Sequence, residues 1–191
     1  MRKLEIGTSA AGVSSMHLAP ARRLVFGASE LAIRVLDGSG KPDQGWVTSV
    51  VDPASGCIYA CIVTAGVPME DQVEAPLKEQ LLRSFERQGW PEVLTPLPEF
   101  IDLPMEVRKV LTSEGIHVDE QLGFLRGPNE IEIVARLIDE AIVGQDEETS
   151  LPTADVLEEK VITWLHNTYH SAKHPHFQRI WMSFMSTCCG A

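Results

Sequence analysis

Apolar residues fall into two regimes along this chain, extended runs in the first third and helical stripes afterwards. The extended runs are LVFGASELAIRVL (24–36), WVTSVVD (46–52) and CIYACIVT (57–64). They are separated by DGSGKPDQG (37–45) and PASG (53–56), whose Gly, Asp, Pro and Ser suit tight connections. Short links between extended runs predict an antiparallel meander, with an irregularity in the first strand around Gly27. Residues 1–20 are small, polar and aperiodic and predict a loosely ordered arm.

The period then changes. Over 70–88, Leu77, Leu81, Leu82 and Phe85 form a helical stripe that Gly89 would stop, with Pro76 expected in or near the first turn. EVLT (92–95) reads as a short strand. A helix beginning at Pro104 follows, with Val107, Val110 and Leu111 inward and Gly115 at its end, and then a short strand over 116–118. The next stripe opens at Asn129 and carries Ile131, Val134, Ala135, Ile138 and Ile142 before Gly144. QDEETS (145–150) is an acidic link. A last helix over 154–171 places Leu157, Val161, Trp164, Leu165 and Thr168 on one stripe, with Asp155, Glu158 and Glu159 near its positive end. The order β-β-β-α-β-α-β-α-α predicts an α/β fold. In it, a three-strand antiparallel meander and two short parallel strands make one mixed sheet with helices on both faces.

Composition narrows the function classes. The chain has 191 residues, 44% apolar and 23% charged, which suits one soluble domain with a single sizeable core. No apolar run approaches a membrane span and no secretory h-region is visible, so a cytoplasmic location without membrane contact is expected. The net charge is −11, from 27 acids against 16 bases. Phosphate backbones are bound by Lys and Arg that release counterions, so this balance opposes general DNA binding, and the nearest approach to a basic cluster is Arg22-Arg23. Cys57 and Cys61 are four residues apart on a predicted strand, roughly 13 Å, too far for a disulfide or a shared metal. With Cys188 and Cys189 in the tail they read as reduced thiols.

Several segments together resemble a known family. GWVTSVVDPASGCIYACIV (45–63) is similar to the second and third strands of transposases of the Mu and Tn7 type and of retroviral-type integrases, and VFGASELAIRVLDGSGKP (25–42) to their first strand and hairpin. GWPEVLTPLPEFIDLPMEVRKVLTSEGIHV (89–118) resembles their Gly-x-Pro, strand, acidic loop, helix and Gly-Ile. RGPNEIEIVARLIDEAI (126–142) resembles the helix carrying their catalytic Glu, and VLEEKVITWLHNTYHSAKHPHFQRIW (156–181) their closing helix. The resemblance covers about residues 22–181. It implies an RNase H-like fold: an arm over 1–20, an integrase-type core over 21–144, an acidic linker over 145–152, a closing helix over 153–182 and a tail over 183–191.

The family's chemistry would need three carboxylates around two divalent metals, which activate a nucleophile and neutralise the leaving oxygen of a phosphodiester. Carried over by the resemblance, the first position falls on Gly27, followed by Ala28 and Ser29. The second falls on Thr95, or Pro96 if the register slips by one, with Glu99-Phe100 aligned to the family's Glu-Phe. The third falls on Glu132, with Glu130 as neighbour, 37 residues after Thr95. Gly, Thr and Pro offer no anionic oxygen to Mg²⁺, so no intact catalytic set is expected. Glu132 is also three residues after Asn129, the spacing of a capping box. Asp52 is a residual acid that reads equally as an Asx-type turn with Ser55, and Asp37 and Asp102 flank loops. His166 and His170, four residues apart on a helix, have the spacing of a zinc pair, with His174, His176, Cys188 and Cys189 beyond, but HExxH and CxxC are absent.

The expectation is a transposase- or integrase-derived domain that is not an enzyme, takes no cofactor, and serves as an interaction or regulatory module linked to DNA transposition. Its partner would be another protein or a second copy of itself. One alternative is a metal-dependent nuclease or polynucleotidyl transferase whose site is rebuilt from Asp52, Glu132 and Asp37, using Mg²⁺ or Mn²⁺. Another is an unrelated α/β domain, to be marked by a purely parallel sheet or by Gly27 lying far from Thr95.

Overall fold

The computed structural model describes residues 23–97, 100–120, 130–143 and 150–170. Strands β1 (Arg23–Leu36), β2 (Pro42–Val51) and β3 (Ile58–Ala65) form the meander. They are followed by helix α1 (Glu70–Gln88), strand β4 (Val93–Pro96), helix α2 (Met105–Ser113), strand β5 (His117–Val118), and helices α3 (Glu130–Val143) and α4 (Ala154–Trp164). The sheet order is β3-β2-β1-β4-β5, with β2 antiparallel to both neighbours and β1, β4 and β5 parallel. This mixed order is that of the RNase H-like fold expected from the sequence.

Side chains alternate across the sheet and feed two cores. On one face Leu24, Phe26, Val50, Ile62 and Leu94 pack under α1 and α2. On the other Val25, Val47, Val51, Cys61 and Val63 pack under α3 and α4. All five stripe residues of α3 are buried. A helix of 14 residues is marginal alone, so that burial, about 1.5–3 kcal/mol per large side chain, holds it in place.

Three local expectations are corrected. Pro76 lies inside α1, at its seventh residue, not in its first turn. It costs about 3 kcal/mol, less than is returned by burying Val73, Leu77, Leu81 and Phe85. The irregularity of β1 lies at residues 31–33, between the pairs Glu30–Trp46 and Arg34–Gln44, while pairing at Gly27 is regular. Only Gly45 faces those three residues, and a Cβ there would stand 2.5 Å from the Ile33 carbonyl oxygen, so this close approach requires glycine. Finally, α4 runs into a π turn over Leu165–Tyr169. The wider turn keeps a spacing of four on one face, so Leu157, Val161, Leu165 and Tyr169 are buried while Thr168 is exposed. The Tyr169 hydroxyl donates to the Gly56 carbonyl at 2.7 Å, tying the end of this helix to the β2–β3 turn.

Candidate functional site

Gly27 and Thr95 lie on paired strands beneath the start of α3. β1 and β4 pair in parallel with Val25 opposite Thr95 and Phe26 opposite Pro96, and the Leu97 N–H donates to the Phe26 carbonyl at 2.7 Å. Gly27 is therefore opposite Leu97, one position past Pro96 and two past Thr95. By strand alternation Gly27, Thr95 and Leu97 face α3, whereas Pro96 faces α1 and α2. The first turn of α3 lies directly above. A Cβ built on Gly27 would be 3.2 Å from Ile131 Cγ1 and 3.3 Å from Leu97 Cβ.

Hydrocarbon thus occupies the space above Gly27. Ile131, fully buried, covers Gly27, and the adjacent Glu132 lies part-way round the helix, half-buried. Neither Ile131 nor Leu97 stood out in the sequence. A register slip of two, instead of one, along Thr95-Pro96-Leu97 would have found the latter.

Thr95 is also committed. It is 2% exposed, and its hydroxyl accepts from Arg23 Nε at 3.0 Å and Nη2 at 2.8 Å. The same guanidinium is 3.6 Å from Asp119. The Thr95 hydroxyl is thus taken up by Arg23. Opposite Gly27 across β2, the Ser49 hydroxyl is buried without a hydrogen-bond partner among the described residues.

The remaining acids are held apart. Asp52, buried, accepts from the Ala54 N–H at 2.9 Å and the Ser55 hydroxyl at 2.6 Å, an Asx turn that shapes the β2–β3 link. Asp37 accepts from the Ser39 N–H and hydroxyl and from the Lys41 N–H at the other end of the first hairpin. These bonds, that from Lys41 foremost, hold its carboxyl below the ordinary range. All of β2 separates the two, roughly 30 Å, so they cannot share a metal with Glu132. Asp102 is exposed. Glu130 opens α3 and is half-buried; Asn129 and Glu99 lie outside the described residues.

The histidine pair sits on the π turn. The His166 and His170 rings are 6.3 Å apart, edge to face. Among the described residues no group of three His, Cys, Asp or Glu side chains could hold a metal. His174, His176, Cys188 and Cys189 lie outside those residues. Cys57 and Cys61 are free thiols, and burial pushes the Cys57 thiol up to about 11 and Cys61 higher still, so neither is a ready nucleophile or ligand.

Two acids bond to outward strand amides: Asp139, which the sequence did not single out, and Glu158, read there only as favourable to the helix dipole. Asp139 of α3 receives the Ala32 N–H of the β1 bulge, with both oxygens at 2.9 Å. Glu158 of α4 receives the Val63 N–H of β3 at 2.8 Å. Burial raises both carboxyls above their ordinary values, and the backbone amides only partly offset it.

No protein-family model and no curated protein sequence matches this chain significantly. Among solved structures it is similar to the HTLV-2 integrase catalytic core domain in complex with magnesium. The dimeric form is 12% identical over 79% of this chain and 88% of that one, with a TM-score of 0.48. The trimeric form is 14% identical over the same shares, with a TM-score of 0.46. A chain of the simian T-cell lymphotropic virus intasome in complex with PP2A regulatory subunit B56 gamma is 15% identical. That match covers 79% of this chain and half of that one, with a TM-score of 0.49. These structural neighbours are retroviral integrase cores. The fold assignment itself rests on strand order and direction: the sheet is mixed, and Gly27 and Thr95 lie on directly paired strands. No helix among the described residues is long and apolar enough to cross a membrane.

Proposed function

We propose that this chain is a transposase- or integrase-derived domain that has no polynucleotidyl transfer activity and works as an interaction or regulatory module linked to DNA transposition. The observation that carries the reading is the apolar cover over Gly27. A metal pair needs anionic oxygens and water at the point where β1, the end of β4 and α3 meet. Ile131 and Leu97 stand there instead, and Arg23 holds Thr95 beside them. With chemistry absent, function passes to surfaces, and a protein partner or second copy is the occupant that the acidic balance favours over DNA.

Calorimetric titration of the purified protein with Mn²⁺ tests this. No saturable heat up to millimolar metal is expected, alongside no metal-dependent nicking of supercoiled DNA. Saturable binding that disappears in Glu132→Gln would replace this reading with that of a rebuilt nuclease site.

A further inference from the structure

Four of the seven large apolar side chains exposed among the described residues gather in one place. Val67 and Met69 stand in the link from β3 into α1, Phe100 in the link from β4 into α2, and Met105 opens α2. Three contacts draw these segments together. The Phe100 ring lies edge-on to Trp46, with centroids 4.9 Å apart. Trp46 pairs with Thr64, whose hydroxyl donates to the Gly66 carbonyl at 3.2 Å, beside Val67. The Met105 N–H donates to Glu70 Oε1 at 2.9 Å, beside Met69. Val67, Met69 and Met105 are each more than half exposed, and Phe100 is 42% exposed. Single apolar residues on a surface are ordinary, but a patch of them rimmed by polar groups marks a contact surface. Two of the four are methionines, whose flexible thioethers adapt to the shape of what they meet.

The rim of this patch is acidic. Glu30 is directly opposite Trp46 across the β1–β2 pair and so shares its face. Glu70 and Asp71 open α1, and Asp102 lies in the same link as Phe100. All four acids are exposed, and none takes part in an ion pair among the described residues. Further along the same helices the acids are compensated, Glu79 by Arg83 and Glu106 by Lys109. A two-fold contact between copies would set the uncompensated acids against themselves, and phosphate groups would be repelled outright. A cationic partner is the one they favour. We propose that Val67, Met69, Phe100 and Met105 form a docking surface for a basic amphipathic segment of a partner protein, its apolar side chains on the patch and its Lys or Arg side chains on Glu30, Glu70, Asp71 and Asp102. The inference rests on the reading of the chain as an interaction module and gives the partner its chemistry. The Mn²⁺ titration tests that reading without touching this surface, so the two can fail separately.

The probe is a short fluorescent peptide of Leu and Lys, with Leu at i, i+3, i+4 and i+7, compared by anisotropy with a scrambled peptide of the same composition. Saturable binding of the amphipathic peptide is expected, about tenfold tighter than that of the scrambled one. Met69→Gln/Met105→Gln should weaken it about tenfold while the urea midpoint stays at the wild-type value, because both side chains are exposed. Asp71→Asn/Asp102→Asn should weaken it and flatten its salt dependence. Glu140→Gln/Glu159→Gln removes the same charge on the α3 and α4 side and should bind as wild type does. In wild type, amide exchange should slow on binding over residues 67–72 and 100–106, a footprint that decides the matter if a variant does not fold. Equal binding of the scrambled peptide, or equal weakening by Glu140→Gln/Glu159→Gln, would reduce the effect to net charge. Self-association of the wild type that is lost in Met69→Gln/Met105→Gln would give the patch to a second copy. Either result, a footprint elsewhere, or no saturable binding up to about millimolar peptide overturns the proposal.

Discussion

The neighbourhood of Gly27 and the open margins of the sheet treat polar groups in opposite ways. At Gly27 the polar groups are few and poorly served: Ser49 has no partner among the described residues, and Ile131 and Leu97 fill the space above. At the margins four carboxylates each hold a backbone amide. Asp139 holds the β1 bulge, Glu158 the β3 edge, Asp52 and Asp37 the two turns. The difference teaches where a carboxylate is useful in this chain. It is useful where the sheet leaves an N–H unpaired, because a buried unmet donor costs about 1–3 kcal/mol. Where strand pairing is complete and no metal compensates, a carboxylate would only be desolvated.

Putting an acid on the wrong side of that division should have the largest effect. Gly27→Asp forces a side chain against Ile131 and Leu97 and buries a charge, and should lower stability by about 3 kcal/mol or more in urea denaturation. Combining it with Ile131→Ala should cost less than the sum of the two single changes, because the smaller residue makes room. Strict additivity would show that crowding by Ile131 is not the cause.

Removing an acid from the right side should matter less. Asp139→Ala leaves the Ala32 N–H of the bulge without its acceptor and should cost about 1–3 kcal/mol. Faster exchange should be confined to residues 31–33; loss of protection throughout β1 would show that Asp139 supports the whole strand, not the bulge alone.

The smallest effect separates the margins from one another by pH. Burial raises Asp139 and Glu158, so the native state binds their protons more tightly than the unfolded chain does. Their contribution is full below the ordinary values of 3.8 and 4.5 and is lost as pH rises through the raised ones. Asp37 has the opposite sign: its contribution is present above 3.8 and is lost as pH falls through its lowered value. Glu158→Gln keeps an acceptor for Val63 without the charge. Relative to wild type it should therefore gain stability as pH rises from about 4 to about 7. Parallel midpoint curves for the two proteins over that range would contradict this assignment.

Most of the architecture was legible because burial imposes a period. The α3 stripe and the three β runs could be read directly, since most apolar residues there pack into a core. What could not be read depended on contacts between distant segments. The β1 bulge is fixed by Gly45 meeting Ile33 and by Asp139 from a helix about a hundred residues later, so Gly27 attracted an irregularity that belongs elsewhere. Tyr169 was missed because an α-helical period points to Thr168, and only the π turn brings the tyrosine inward. At the candidate site the sequence disclosed that positions 27 and 95 carry no acid. It did not disclose what replaced them, because Ile131 looks like any other member of its stripe until Gly27 is placed beneath it.

The cover over Gly27 also bears on how such a chain can change over generations. A carboxylate cluster at this point would require an acid at position 27, another near 95–97, and a smaller or rotated residue in place of Ile131. The first step alone is destabilising, the second gains nothing without the first, and the third alone opens a cavity in a packed core. No sequence of single neutral steps leads there, so the apolar cover acts as a barrier.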